Sequence, residues 1–129
     1  MIIHKIKVAH QDERGAISDI LQQVVVDCVT LITITNGSIR GNHYHKDSIQ
    51  YSYVLSGEVI AYTQMPNQNV EKSILKAGDM LESPIMERHS IHGVDGNSVL
   101  LILTKGPRGG GRYEEDTFRI SPLHETFDS

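Results

Sequence analysis

The stretch Arg-Gly-Asn-His-Tyr-His-Lys-Asp-Ser-Ile-Gln, residues 40–50, contains two histidines separated by a single residue. Side chains alternate between the two faces of a β-strand, so His43 and His45 are expected on one face and Tyr44 on the other. The polar residues 46–48 favour a turn that returns the chain into a second strand. Gln50, near the start of that strand, is therefore expected beside the two imidazoles.

A third histidine, His89, follows Gly78 and Pro84 at the start of a later strand-like segment. Short β-rich runs bounded by Gly, Asn, Asp and Pro recur along the chain without a sustained helical period, which favours an all-β antiparallel sandwich or barrel. A closed barrel brings distant strands together, so His89 is expected to join the other site residues at the barrel mouth. The predicted strands cover residues 3–8, 16–26, 29–35, 39–45, 50–55, 58–64, 70–75, 80–83, 89–94 and 99–104.

Composition restricts the class of protein. A chain of 129 residues with 39% hydrophobic residues suits one globular domain with one core. Its net charge of -4 and its scattered Lys and Arg argue against a nucleic-acid partner. Cys28 is the only cysteine, which excludes an intrachain disulfide and a thiolate cluster. No apolar run is long enough to span a bilayer, so the expected location is the cytoplasm, without a membrane partner.

The side chains predicted to converge are chemically suited to a metal. Three neutral imidazoles, from His43, His45 and His89, suit a divalent transition metal such as Zn, Fe, Mn or Ni. Gln50 supplies an amide oxygen where a carboxylate is more usual. An uncharged ligand set leaves the metal its full charge, which favours polarising a carbonyl or binding an anionic or hydroxylated small molecule. The predicted metal ligands are therefore His43, His45, Gln50 and His89.

These residues fall in the order of the two sequence motifs of the cupin superfamily, which the chain resembles from Ile39 to about Val94. His43, His45 and Gly57 occupy first-motif positions and Gly78, Pro84 and His89 occupy second-motif positions. The resemblance implies an antiparallel double-stranded β-helix, the jelly-roll or cupin barrel. It also implies one cupin domain over residues 1–129, with a barrel over 1–105 followed by a Gly-rich loop and C-terminal arm over 106–129. The departures are Gln50 for Glu, Met86 for the inner Gly and Gly93 for the closing Asn, and the last two are expected to affect turns only.

Within that superfamily, residues 40–46 resemble the Arg-Gly-x-His-x-His-Lys segment of nucleotide-sugar epimerases and ketoisomerases. The resemblance implies that His43 is a general base, that His43 and His45 both move protons, and that Arg40 contacts the sugar or diphosphate. Similar segments occur in metal-binding cupin domains of capsular-sugar enzymes. His89 favours the metal-binding mechanism, because an acid–base pair needs only two histidines. The predicted function is therefore an isomerase or epimerase acting on a sugar-related small molecule.

Two other functions remain open. A redox-active metal on the same histidines would suit a dioxygenase-type oxidoreductase, and a barrel without catalysis would be a small-ligand or metal-binding module. The aromatic stripe Tyr51, Tyr53 and Leu55, opposite Gln50, suggests packing against a partner sheet or subunit, hence a homodimer. His92 has the opposite strand parity from His89 and is expected to be structural. Residues 106–112 are expected to form a linker or lid, and the acidic residues 114–116 a solvated face.

Overall fold

The computed structural model describes residues 1–109, 112 and 114–129 in full. Ten strands form two five-stranded antiparallel sheets that face each other, and two further strands form a separate hairpin, β2–β3. The predicted all-β antiparallel fold is confirmed. The elements are β1 (Ile2–Lys5), β2 (Val8–Asp12), β3 (Gly15–Ser18), β4 (Cys28–Ile34), β5 (Ile39–Tyr44), β6 (Ile49–Ser56), β7 (Glu58–Gln64), β8 (Glu71–Lys76), β9 (Asp79–Ser83), β10 (Arg88–Gly93), β11 (Ser98–Lys105), a 3-10 helix (Gly109–Asp116), β12 (Phe118–Arg119) and α1 (Leu123–Asp128).

The strands are ordered so that sequence-distant segments become neighbours. The first sheet has the order β1-β9-β6-β11-β4, and the second has the order β12-β5-β10-β7-β8. Val54, Leu81 and Leu100 of the first sheet and Leu75 of the second are fully buried between the sheets. Complete burial of such a side chain contributes roughly 1.5–3 kcal/mol, so this apolar layer holds the sheets together.

Beyond this apolar layer, the side chains that point into the space between the sheets are polar. Gln50 on β6 pairs with Thr104 on β11 and with Ser83 on β9, and all three are nearly fully buried. On the second sheet, His89 of β10 pairs with His43 of β5 on one side and with Thr63 of β7 on the other. The alternation of each strand thus places chemically active side chains inside the barrel rather than on its surface.

The predicted strand over residues 16–26 is wrong beyond Ser18. β3 ends there, and residues 20–26 run without regular structure over the outer face of the first sheet, where Ile20, Leu21, Val24 and Val26 pack against a cluster formed by Tyr51, Met80 and Leu103. Gln23 has a positive φ of 58°, which a strand does not allow. The apolar run is therefore used to cover the sheet, and part of the aromatic stripe is buried by the chain itself.

The segment after Lys105, predicted as a loop and an arm, contributes to the second sheet. β12 pairs with the end of β5 through Phe118 and Tyr44 and through Arg119 and His43. Helix α1 then packs against the outer side of the same sheet, where Leu123 is buried. Within the predicted loop 106–112, Gly110 and Gly111 lie outside the described residues. No helix in the described part of the chain is both long and apolar enough to cross a membrane.

Candidate functional site

An irregularity in β5 brings His43 opposite His89. Gly41 and Asn42 both have positive φ values, 101° and 57°, and the pairing of β10 with β5 shifts register between His89 and Ser90. A Cβ on Gly41 would lie 2.7 Å from the carbonyl oxygen of His89, so only glycine allows the two strands to approach this closely. The Arg-Gly-Asn sequence before His43 is therefore a local bend that aims the imidazole at its partner.

His43, His45 and His89 form one cluster. Their ring centroids are 4.8–5.4 Å apart. The ring of His43 is tilted against that of His45 and edge-on to that of His89. Each ring offers a nitrogen, and these three atoms lie within 4.8 Å of one another. Among the residues that the structure describes, this is the one group of three or more His, Cys, Asp or Glu side chains close enough to hold a metal ion.

Backbone carbonyls fix the orientation of two of the rings. The Nδ1 of His45 donates to the carbonyl oxygen of Asp116 over 2.8 Å, and the Nδ1 of His89 donates to that of Glu87 over 3.4 Å. In both rings Nε2 is buried and has no hydrogen-bond partner in the described structure. A buried acceptor without a partner costs about 1–3 kcal/mol, so these two lone pairs are suited to a ligand that the protein binds.

Two of the three imidazoles, those of His43 and His89, are held in the neutral form. Burial, together with the neighbouring His45 and the guanidiniums of Arg119 and Arg108, lowers the pKa of His43 to about 4. Burial also holds the pKa of His89 well below its usual range, with His43 and His45 adding to the effect. Neutral imidazoles are the protonation state that a metal requires. The cluster thus passes the chemical test for a divalent transition metal.

Gln50 lies in the same chamber. Its side chain is 7% exposed, and Nε2 donates to the hydroxyl of Ser52 over 3.1 Å. Because the amide nitrogen is engaged with Ser52, the amide oxygen is the atom left to face the imidazoles or a ligand. The structure therefore places all four predicted metal ligands together. None of the four has a carboxylate or a thiolate.

A cavity of about 370 Å³ opens onto the cluster. Its wall combines apolar side chains with three arginines, and its described lining contains no carboxylate. Arg40 is exposed and its Nε donates to the backbone oxygen of Thr33, Arg108 donates to the hydroxyl of Thr30, and Arg119 binds Glu114. The lining residues are Ile32, Ile39, Arg40, Gly41, His43, Gln50, His89, Ile91, Ile102, Arg108 and Arg119.

A larger cavity, of about 550 Å³, lies on the outer side of the first sheet between residues 19–24 and β1. It contains none of the three clustered histidines. The smaller cavity is the better candidate site, because it combines converging imidazoles with an apolar wall and a few polar groups, which is the usual composition of a ligand pocket.

Other residues singled out in the sequence lie outside this cavity. Lys46 sits over the ring of Phe118, with Nζ 4.3 Å from the ring centroid, and Tyr44 stacks on the same ring. His92 is on the outer face of the second sheet, as its strand parity predicts, and contacts Tyr62 and His124. Neither Lys46 nor His92 lines the cavity, so both are structural here.

The two motif departures expected to affect turns only both lie at turns. Met86 lies in the turn before β10 with a φ of 69°, a region that favours glycine, and its N–H donates to the carbonyl of His45 over 2.7 Å. Gly93 is the last residue of β10, where a Cβ would lie 2.4 Å from the carbonyl oxygen of Thr35. Thr35 opens the turn between β4 and β5, which the Ser38 N–H closes by donating to the Thr35 carbonyl over 3.0 Å, so the approach of this turn to β10 requires glycine there.

The sequence did not place Asp116 or Arg119 at the site, and it favoured a linker or lid over phosphate binding for the segment that contains Arg108. Asp116 was expected on a solvated acidic face, but it is 3% exposed and contacts the turn beside His45. Arg108 and Arg119 reach the cavity because the C-terminal segment folds back onto β5, which strand patterning in residues 39–104 does not reveal. A hydrophobic residue on either side of Arg119 was the one local sign of a short strand.

Comparison with known proteins identifies related sequences and folds. The model of the polysaccharide biosynthesis C-terminal domain family matches residues 10–107. No curated protein matches the sequence.

Three solved structures show the likeness in fold. QdtA 3,4-ketoisomerase from Thermoanaerobacterium thermosaccharolyticum, solved with TDP, is 24% identical with a TM-score of 0.72, and 92% of this chain covers 86% of that chain. The epimerase RmlC from Legionella pneumophila, solved with dTDP-4-keto-L-rhamnose, is 17% identical with a TM-score of 0.79, over 98% of this chain and 76% of that one. The capsular polysaccharide assembling protein CapF of Staphylococcus aureus is 17% identical with a TM-score of 0.66, and 91% of this chain spans only 34% of that protein. These likenesses confirm the predicted cupin jelly roll.

Proposed function

Because the chain belongs to the polysaccharide biosynthesis C-terminal domain family, we propose that it is an isomerase or epimerase of a sugar-related small molecule that works with a bound divalent transition metal. The observation that carries this proposal is the pair of buried, unpartnered Nε2 atoms of His45 and His89 beside the neutral His43. The sugar epimerases and ketoisomerases among the structural neighbours support the class of reaction.

His43, His45 and His89 would hold the metal, and the amide oxygen of Gln50 lies in the same chamber. A metal bound there supplies Lewis acidity toward a carbonyl oxygen. The hydrogen bonds from His45 and His89 to backbone carbonyls orient the two rings and keep their Nε2 lone pairs available. All the donors are uncharged, so they do not reduce the charge of the metal.

The arginines of the cavity suit an anionic substrate. Arg40, Arg108 and Arg119 place three guanidiniums around one chamber, and a diphosphate linked to a sugar presents the oxygens that guanidinium groups bind. The isoleucines of the wall exclude water from the sugar ring. Isomerisation then requires removal of a proton from the carbon next to a ketone, delocalisation of the C–H electron pair onto the ketone oxygen, and return of the proton to a different face or atom.

A metal-free mechanism in which His43 is the general base and His45 its partner is the second candidate. The free Nε2 of His45 favours it, since that lone pair can accept a proton. A base works best when its pKa is near the operating pH, whereas burial and the nearby cations hold the pKa of His43 at about 4. A ring that stays neutral without proton competition suits a metal ligand better, and we therefore favour the metal mechanism.

The proposal is tested with a dTDP-4-keto-6-deoxy sugar in deuterated water. We expect solvent deuterium at the carbon next to the ketone, detected by NMR, with metal-loaded protein and with the His92→Ala control. Stoichiometric metal without exchange would make the chain a binding module. Iron in the protein together with oxygen consumption would instead support the dioxygenase-type oxidoreductase.

The proposal includes a homodimer formed through the first sheet. β4 is an edge strand, and its outward residues Val29 and Leu31 are 58% and 63% exposed, while Leu55, two strands away on β6, is 50% exposed. Several exposed apolar residues on one sheet mark an interaction surface. We expect Leu31→Arg to convert a dimer into a monomer by light scattering, while Ile74→Arg on the other sheet, where Ile74 is 52% exposed, leaves the mass unchanged. A parent protein that is already monomeric would contradict this part of the proposal.

A further inference from the structure

Asp116 binds the turn between β5 and β6 through its carboxylate. Its oxygens accept the N–H of Lys46 over 2.8 Å, the N–H of Asp47 over 3.1 Å and the hydroxyl of Ser48 over 2.9 Å. Burial opposes the charge on this carboxylate, but these hydrogen bonds hold the pKa of Asp116 below its usual range. The carboxylate is therefore an ionised acceptor in a pocket made of donors.

The backbone carbonyl of the same residue binds His45. It accepts the Nδ1–H of the imidazole over 2.8 Å. A neutral imidazole carries one N–H, and a carbonyl oxygen can only accept, so the proton of His45 must be on Nδ1. Nε2 is then the unprotonated nitrogen, and it is the atom directed into the histidine cluster without a partner.

We infer that Asp116 is a positioning residue that selects the tautomer of His45. The carboxylate anchors Asp116 to residues 46–48, directly after His45 in the chain, so the carbonyl cannot turn away from the ring without breaking three further hydrogen bonds. One residue of the C-terminal segment thus fixes both the position and the tautomer of a site histidine. This inference rests on the proposed function only where the Nε2 lone pair is assigned to a metal.

An asparagine cannot replace this carboxylate. Asp116 faces three donors, and an amide would present one acceptor oxygen and an N–H₂ group that repels the remaining donors. The alternative is that Asp116 only fastens the C-terminal segment to the barrel. A fastening role alone predicts lower stability without any change in the tautomer of His45, so the two roles differ in one measurable property.

The test is long-range ¹H–¹⁵N NMR of the histidine rings in metal-free protein. The parent is expected to show His45 with its proton on Nδ1. Asp116→Ala is expected to give a mixture of tautomers at His45 while His92 keeps its pattern. Asp116→Asn, which preserves volume, serves if the alanine variant does not fold. The matched control is Asp47→Asn, which removes a carboxylate from the same turn but keeps the backbone N–H that Asp116 binds.

Zinc affinity, measured by competition with a chelator, is the second readout. We expect Asp116→Ala or Asp116→Asn to weaken binding about 10–100-fold, as loss of a group that orients a metal ligand typically does, and Asp47→Asn to leave it unchanged. A parent His45 protonated on Nε2, or an unaltered tautomer in the folded Asp116 variants, would overturn the inference. If the parent binds no zinc, the proposed metal fails, and the tautomer measurement still decides the role of Asp116.

Discussion

His89→Ala is expected to reduce the metal content of the protein from about one ion per chain to nearly none. The variant removes one of three converging imidazoles, and two neutral nitrogens with an amide oxygen form a much weaker site. Loss of a metal ligand removes catalysis with the metal, so deuterium exchange should fall by at least about 10³-fold if the metal carries the reaction. Metal content is measured on protein purified without a histidine tag, and His43→Ala should behave alike.

The matched control is His92→Ala. His92 lies on the same strand, β10, but faces the outer side of the sheet against Tyr62 and His124, so its removal should leave metal content unchanged. Equal metal content in the parent and in both His43→Ala and His89→Ala would contradict the site. A parent without metal that still exchanges deuterium would favour the acid–base mechanism of His43 and His45.

The same site predicts how metal binding depends on pH. The pKa of His43 is lowered to about 4 and that of His89 lies well below the usual value, so neither ring gains a proton as pH falls through 6.5. Proton competition for His43 begins only as pH approaches its lowered pKa. If His43 and His89 set the pH dependence, the expected result is nearly constant zinc affinity from pH 7 to about pH 5 and a loss below that, whereas a loss near pH 6.5 would show that these two rings do not set it.

Strand alternation made much of the site predictable. Residues 43 and 45 are two apart, so His43 in β5 and His45 just after its end at Tyr44 present their imidazoles on one side, and the turn at 46–48 returns the chain to Gln50. These relations are local and follow from backbone geometry alone. The position of His89 beside these two imidazoles was also predictable, because a closed barrel leaves few alternative neighbours for a strand that begins with a site residue.

The misread segments depend on contacts that no local pattern contains. The apolar residues 20–26 have strand-like composition, yet they pack as an irregular cover on Tyr51, because burial on a sheet face rewards apolar residues whatever their backbone conformation. Asp116 belongs to an acidic run that resembles a solvated face. Its role arises from donors at residues 46–48, which are far away in the sequence and become neighbours only when the C-terminal segment pairs with β5.

Charge and fold together limit the classes of substrate and reaction that suit the cavity. The imidazoles alone would suit several metals and reactions, because fold does not determine function. The cavity adds three guanidiniums at a wall without a described carboxylate, which favours an anionic substrate over a neutral one. Two of these arginines, Arg108 and Arg119, also lower the pKa of His43. The same positive charges therefore favour an anionic substrate and keep this imidazole neutral for a metal. An anionic substrate would partly offset that effect on His43 once bound.

Gly41→Ala is expected to lower the free energy of unfolding by about 2–5 kcal/mol and to disturb the metal site. Two costs combine at this position. A φ of 101° is unfavourable for alanine, by roughly 1–2 kcal/mol, and the added Cβ would lie 2.7 Å from the backbone oxygen of His89 and 2.9 Å from the Cα of Ser90. Backbone atoms cannot yield as a flexible side chain would, so overpacking adds about 1–3 kcal/mol.

Gly96→Ala separates these two costs. Gly96 also has a positive φ, 79°, but a Cβ there would meet no atom within 4 Å, so its substitution carries the backbone strain without the collision. Urea unfolding of both variants should show the larger loss at Gly41, and zinc affinity should fall only at Gly41, because relief of the collision moves β5 away from β10 and carries His43 away from His89. Equal losses of stability with unchanged zinc affinity in both variants would mean that the close approach at Gly41 does not position His43. The bend in β5 would then matter for folding alone. Of the Arg-Gly-Asn segment, only Arg40 would contribute to the site.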